Sequence, residues 1–347
     1  MYRDSAMVAP RSNTAQLKAL LGVDYPVLQA GMGSATGPRL VAAVSEGGGL
    51  GIVGCLRRGP AEVETLLREI RALTSRPFGA NHVIAHLNPE ALQVTLDARV
   101  PVLSTAWGDP HTVVGAAHDV GTVVVHQVNT VEDAVRAMNA GVDVIVAQGG
   151  EGGGHVGRRS TFTLVPEVVD AVAPTPVVAA GGITDVRGVA AAIALGAAGV
   201  LVGTRFVATP EAAVAERWKQ AIVAATGDQT VASKFYDAIR GELWPGAIVR
   251  TVHNRWTADW ADRMDEWDAV AEELRPSFLE GFAAGEFPMA GEGVRLIHEL
   301  LPAADLPPQP WERGPGAART PNRFAPAPAV PCLGTAPTST DINARRP

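Results

Sequence analysis

Cysteine is nearly absent from this 347-residue chain: there are two, Cys55 and Cys332, far apart and the second in a proline-rich stretch. A disulfide-stapled scaffold is therefore excluded, neither thiol has the neighbours of an activated nucleophile, and a reducing, cytoplasmic compartment is expected. Long apolar runs are missing too, each being broken by Gly, Pro or a charge well short of the roughly 18 residues a membrane-spanning helix needs. Met1 to Pro10 has no apolar segment of the kind a secretory signal requires. Clusters of Lys and Arg are absent as well, and 36 acidic residues against 29 basic ones leave a net charge of −7. Nucleic acid and anionic membrane surfaces are poor partners for such a chain.

What the chain does have is glycine, 37 residues of it, and 47% hydrophobic residues. Eight short apolar runs recur: Pro26 to Ala30, Leu50 to Gly54, Phe78 to Ile84, Pro101 to Trp107, Gly121 to Gln127, Val142 to Gln148, Pro176 to Gly181 and Gly199 to Thr204. Their starts lie 20 to 34 residues apart, room for one strand, one loop and one helix. The run cores are continuously apolar, as in Val123 to Val125, which is the pattern of parallel strands buried on both faces. Between runs, Thr130 with Asp133 makes a near capping box before a helix that Gly141 closes, and Asp185 precedes another that ends at Gly196. Eight such units in so short a span predict an α/β fold, the (β/α)8 TIM barrel, over residues 15–209. Residues 210–289, with Trp218, Trp244, Trp256, Trp260 and Trp267 and few strand-like runs, read as a mainly helical insertion after strand eight that covers the barrel mouth. A short amphipathic helix at Gly293 to Leu301 is expected to return the chain to the barrel over 290–302. From Pro302 onward, 11 of the 26 prolines fall in 46 residues, so 303–347 reads as a disordered tail.

In such a barrel the active site lies at the C-terminal ends of the strands. Glycines follow runs seven and eight (Gly181-Gly182 and Gly203-Thr204), each before a helix start, and this pairing predicts a phosphate site; the plain alternative is two tight turns. After run six stands Gln148-Gly-Gly-Glu-Gly-Gly-Gly-His155, in the longest of the repeats. So much glycine costs conformational entropy unless the backbone must lie against something flat or take positive φ. His155, next to it, can act as a base near neutral pH.

Other motifs carry less. Gly49-Leu-Gly-Ile-Val-Gly54 matches a dinucleotide fingerprint but runs into a strand instead of following one. His82 and His86 lie in a strand-like segment without an acidic partner, so no metal site is expected. Asp109 and His111 flank an ordinary turn signal, and the tryptophans are expected to pack helices together more than to form a stacking platform.

The segments Pro26-Val-Leu-Gln-Ala-Gly-Met-Gly33, Phe78-Gly-Ala-Asn81, Ala147 to Gly157 and Pro176 to Phe206, with an echo at Ala290 to Ile297, resemble the nitronate monooxygenase family, also called 2-nitropropane dioxygenase-like flavoproteins. The resemblance spans about residues 15 to 300. It implies a flavin-dependent oxidoreductase with FMN at the barrel mouth: Gly181, Gly182, Gly203 and Thr204 on its phosphate, and Gly31, Met32, Asn81, Gln127, Gln148 and Gly153 along the ribityl chain and ring. His155 matches the family's catalytic histidine. The implied substrate is an alkyl nitronate, or a nitroalkane, oxidised with O2 to a carbonyl compound and nitrite; homodimer formation is left open. Two departures stand out: Gly152 where the motif often has Ala, and Met289-Ala-Gly-Glu292 where many nitronate oxidisers have Tyr-Ala-Gly-Gln. Related barrels use NAD(P)H to reduce quinones or enoyl thioesters. A flavin-free barrel lyase or isomerase acting on a phosphorylated metabolite, and a non-catalytic binding module, are the readings from other classes.

Overall fold

The computed structural model describes residues 13–242, 244–260, 263 and 266–309. All eight apolar runs form strands: β1 (Val27–Gln29), β2 (Gly51–Gly54), β3 (Phe78–Val83), β4 (Val102–Ala106), β5 (Val123–Val128), β6 (Val144–Gln148), then, after a short β7 (Gly154–Val156), β8 (Val177–Ala180) and β9 (Gly199–Val202). They make one parallel sheet in the order β1-β9-β8-β6-β5-β4-β3-β2. A parallel bridge between Leu28 and Leu50 joins the two ends. There the fully buried Gln29 reinforces the seam, its Nε2 donating to Ile52 O (3.2 Å) while its Oε1 accepts from Ile52 N (3.1 Å). The fold is thus a TIM barrel.

Alternate residues of each strand face opposite ways and build two cores. Leu28, Ile52, Val102, Val125, Val144, Val146 and Val178 form one cluster, filling the barrel. Leu103, Val124, Ile145, Val177, Ala179 and Val200 form another, with the helices. Each wholly buried Val, Leu or Ile contributes about 1.5–3 kcal/mol. The helices start where the sequence caps them. Thr130 Oγ1 accepts from Asp133 N (3.1 Å) before Val131–Asn139, and Asp185 Oδ1 from Arg187 N (2.9 Å) before Val186–Ala194.

Beyond β9 the structure departs from expectation. The 210–289 stretch carries helices Glu216–Ala224, Phe235–Arg240, Arg255–Trp260 and Trp267–Ala283, but also two strands that the helical reading left out, β10 (Thr230–Ser233) and β11 (Ile248–Val252). They form an antiparallel sheet with β7. The β11 alternation is half-buried on one face, a weak pattern that pairing to β10 and β7 on its two sides stabilises. Phe235, Tyr236, Ile239, Val249, Trp256, Phe278 and Phe287 give this region its own core.

The helix expected at Gly293 to Leu301 is instead a 3-10 segment, Glu292–Leu296. Gly293 lies so close to the loop after β8 that a Cβ would fall 2.0 Å from Thr184 Oγ1, and glycine at 291 and 293 weakens a helix. Residues 303–309, expected as the start of a disordered tail, are ordered: Ala303 and Leu306 are buried in the outer core, and Ala303 N donates to Glu211 Oε2 (3.1 Å). Residues 310–347, the rest of that tail, lie outside the described residues.

Candidate active site

The C-terminal strand ends are brought together as neighbours. Ala180 pairs with Leu201, so Gly181-Gly182 and Gly203-Thr204 leave adjacent strands side by side. Gly181 (φ +100°) and Gly182 (φ +71°) both take the left-handed region, where other residues are strained. Around them Thr161 Oγ1 donates to Gly181 O (3.0 Å), and the Glu151 carboxylate accepts from Thr161 N at the start of helix Thr161–Val172. Glu151 therefore serves as the cap of that helix, at the positive end of its dipole. Thr204 Oγ1 accepts from Gly291 N (3.0 Å), which ties the returning chain across the mouth.

Backbone presses on backbone elsewhere in the rim. A Cβ on Gly153 would lie 2.6 Å from Cα of Ala290, and one on Gly31 would lie 2.4 Å from Cβ of Asn81. Met32 stands beside Gly203, its Sδ 3.4 Å from where a Cβ there would be. Side-chain amides complete the ring. Asn81 Nδ2 donates to Ser104 Oγ (3.1 Å), and Gln127 Nε2 donates to Gln148 Oε1 (3.0 Å). Asn129, unmarked by any sequence motif, holds the same Gln148 through its O and Oε1, both at 3.0 Å.

His155 lies in β7 and faces the inserted sheet and helices. Its Nε2 is 2.9 Å from Oδ1 of Asp237, in helix Phe235–Arg240, with side chains 13% and 9% exposed, so solvent screens the pair little. Trp244 stacks on the imidazole (ring centroids 3.6 Å, planes 17° apart), and Tyr236 meets it edge-on at 6.1 Å. His86 and Trp107 pack on the same indole at 4.6 and 6.2 Å. Trp107 has φ +56° at the end of β4, a strained conformation for a bulky residue of the sort concentrated at functional sites. Glu242 supports the group by accepting from Trp244 Nε1 (3.4 Å) and pairing with Arg57 and Arg240. Burial pulls the Glu242 carboxyl up, but the two guanidinium groups outweigh it and hold it below the ordinary range.

Sequence motifs gave no sign of Asp237, Tyr236 or Asn129, because none sits in a recognisable pattern, and Trp107 was marked only as the residue that closes the fourth apolar run. Trp244 was visible only as one of a group expected to pack helices. Trp256 and Trp260 do so, against Phe235, whereas Trp244 sits on the histidine. The remaining candidates fall elsewhere. His82 is buried against Thr95 (2.9 Å), Asp109 accepts from His111 N at the start of a helix, and burial pushes the Cys55 thiol up to about 12. Among the described residues no group of three or more His, Cys, Asp or Glu could hold a metal ion, and no described helix is long and apolar enough to cross a bilayer.

Barrel and rim together define a TIM-barrel protein whose mouth is lined by glycine backbone and side-chain amides and carries a part-buried histidine–carboxylate pair. The chain belongs to the nitronate monooxygenase family, whose sequence profile matches residues 14–91 and 87–307. It is 39% identical over 224 residues to a (3aS,4S,5R,7aS)-5-hydroxy-7a-methyl-1-oxo-octahydro-1H-indene-4-carboxyl-CoA dehydrogenase of Rhodococcus jostii; the match covers 64% of this chain and 63% of that protein, just under two thirds of its length. It is 31% identical to a probable nitronate monooxygenase of Staphylococcus aureus, over 70% of this chain and 79% of that one. Among solved structures it resembles FabK from Thermotoga maritima, with a TM-score of 0.73 and 34% identity, covering 83% of this chain and 92% of that one.

Proposed function

We propose that this protein is an FMN-dependent enzyme that oxidises alkyl nitronates, and neutral nitroalkanes, with O2 to carbonyl compounds and nitrite. The observation that carries the reading is His155, held by Asp237 beside the glycine run, in a chain of the nitronate monooxygenase family.

The mouth fits the cofactor. A Cβ on Gly203 would find only Met32 Sδ at 3.4 Å and Ala30 Cβ at 3.9 Å, and Gly182 turns with positive φ on the neighbouring strand end. A Cβ on Gly182 would meet Glu151 Cβ at 3.2 Å and one on Gly181 would meet Gly149 O at 2.7 Å, so both strand ends stay bare backbone, the close approach a phosphate needs. Gly181, Gly182, Gly203 and Thr204 would hold the phosphate, while Gly31, Met32, Asn81, Gln127, Gln148 and Gly153 would line the ribityl chain and ring, with amides matching the polar ring edge. FMN, when bound, supplies the redox chemistry between substrate and O2. The chain's own residues do the rest. His155 takes the α-proton of a neutral nitroalkane, and as the imidazolium it donates from Nδ1 to the nitro group of a substrate that is already an anion. Trp244 and Tyr236 keep water from the imidazole, which strengthens that interaction.

One observation favours a second reading, flavin-dependent chemistry on an acyl thioester with a nicotinamide as partner: the 39% identity to a carboxyl-CoA dehydrogenase. Oxygen uptake and nitrite release separate the two. The nitronate reading predicts both with a small alkyl nitronate, and no oxidation of NADH or NADPH by an enoyl thioester or quinone. Nicotinamide oxidation without nitrite establishes the second reading, and a colourless protein that takes up no FMN refutes both.

A further inference from the structure

We infer that Asp237 is a positioning residue that holds His155 as the Nε2–H tautomer and leaves Nδ1 as the nitrogen that receives the substrate proton. The inference rests on the nitroalkane reading above and adds which atom acts and what sets it.

An ionised carboxylate can only accept a hydrogen bond, so the 2.9 Å contact between Asp237 Oδ1 and His155 Nε2 requires the proton on Nε2. The neutral imidazole then has its lone pair on Nδ1. Neither partner is free to turn away. His155 is paired in register with Val249 of β11, and Trp244 lies nearly parallel on one face of the ring. Asp237 follows Phe235 and Tyr236, both buried in the aromatic core of the insertion, and is itself buried. With Nε2 engaged and one face under Trp244, the Nδ1 edge is the basic position left for a substrate.

The proton step closes on these groups alone. The α C–H bond of the nitroalkane breaks, its electron pair moves into a C=N bond as the nitro group takes up the charge, and the proton bonds to His155 Nδ1. The imidazolium formed lies against the Asp237 carboxylate, which offsets its charge, while the nitronate carries the negative charge. A substrate supplied as the nitronate skips this step. Asparagine at position 237 has a side-chain N–H that can donate to Nε2 and force the proton onto Nδ1, which removes the base without removing a ring.

The test uses the FMN-loaded enzyme labelled with 15N-histidine, and Asp237→Asn beside Asp237→Glu. The wild-type His155 resonances should show the Nε2–H tautomer. Asp237→Asn should lower turnover of neutral nitroethane about 100-fold while leaving ethyl nitronate turnover and bound FMN within about threefold, and Asp237→Glu should recover part of the loss. A wild-type Nδ1–H tautomer overturns the inference, as does an equal loss on both substrates by folded Asp237→Asn. If the wild type turns over neither nitro compound, the nitronate reading fails, and the tautomer measurement alone still decides the state of His155.

Discussion

Trp244 lies flat against His155, ring centroids 3.6 Å apart, although 88 positions separate them in the chain. The contact joins the barrel's strand-six loop to the insertion after strand eight. It makes the insertion part of the candidate active site, and a change in the indole should be felt at the imidazole.

Trp244→Phe keeps an aromatic ring over His155 but loses the Nε1 bond to Glu242 and some of the contact with His86 and Trp107. An aromatic pair is worth about 0.5–1.5 kcal/mol, so kcat/KM should fall about 2- to 13-fold. Trp244→Ala, which empties a buried site, should cost about 3–5 kcal/mol of stability. Urea unfolding and steady-state kinetics of the pair check this; unchanged kinetics in Trp244→Phe would detach the stack from function.

His155→Ala removes the proposed base without touching the glycine backbone. Turnover of a neutral nitroalkane should drop about 100-fold or more, with the flavin-to-protein ratio unchanged. Full activity would take the histidine out of the mechanism.

Gly153 is needed for closeness. Gly153→Ala places a methyl group 2.6 Å from the Ala290 backbone, and such overpacking costs about 1–3 kcal/mol. The displaced rim should retain less FMN through gel filtration. Gly115→Ala is the contrast: it lies in helix His111–Asp119 with nothing within 4 Å of the new Cβ, and it should raise stability by about 0.5–1 kcal/mol with FMN retention unchanged. Thermal melts and absorbance ratios of the two variants measure both effects.

The barrel was legible because its strands are continuous apolar runs bounded by glycine and caps, local signals that tertiary packing reinforces at Thr130 and Asp185. The glycines after strands six, seven and eight were legible for the same reason: positive φ and close approach leave a compositional trace. Asp237 and Trp244 left none. A lone Asp and a lone Trp become candidate site residues only through their contacts with His155 across the β7–β11 pairing, whose alternation is too short to read without its partner strand. Likewise the 293–301 segment looks amphipathic, and only its contact with Thr184 shows why it cannot coil into an α-helix.

Two structural histidines set an acid limit. Burial holds His82 and His126 down to about 4 from an ordinary 6.5, the latter despite Asp133 and Asp109. The unfolded chain therefore binds more protons than the native one between those values, so stability is full above about pH 6.5 and is lost as pH falls toward 4. Each contributes about 1.4 kcal/mol per pH unit in that window. Urea unfolding across it should reveal a steep loss, and His82→Gln should remove about one proton from the slope. A native state equally stable at both ends of the window would contradict the burial argument.

The central claim, nitronate oxidation at an FMN held in the barrel mouth, is tested most directly by the visible absorbance of the natively purified protein under anaerobic conditions. The protein should be yellow, lose its absorbance on mixing with an alkyl nitronate, and keep it in a second cuvette with NADH or NADPH. Bleaching by a nicotinamide and not by the nitronate would contradict that claim.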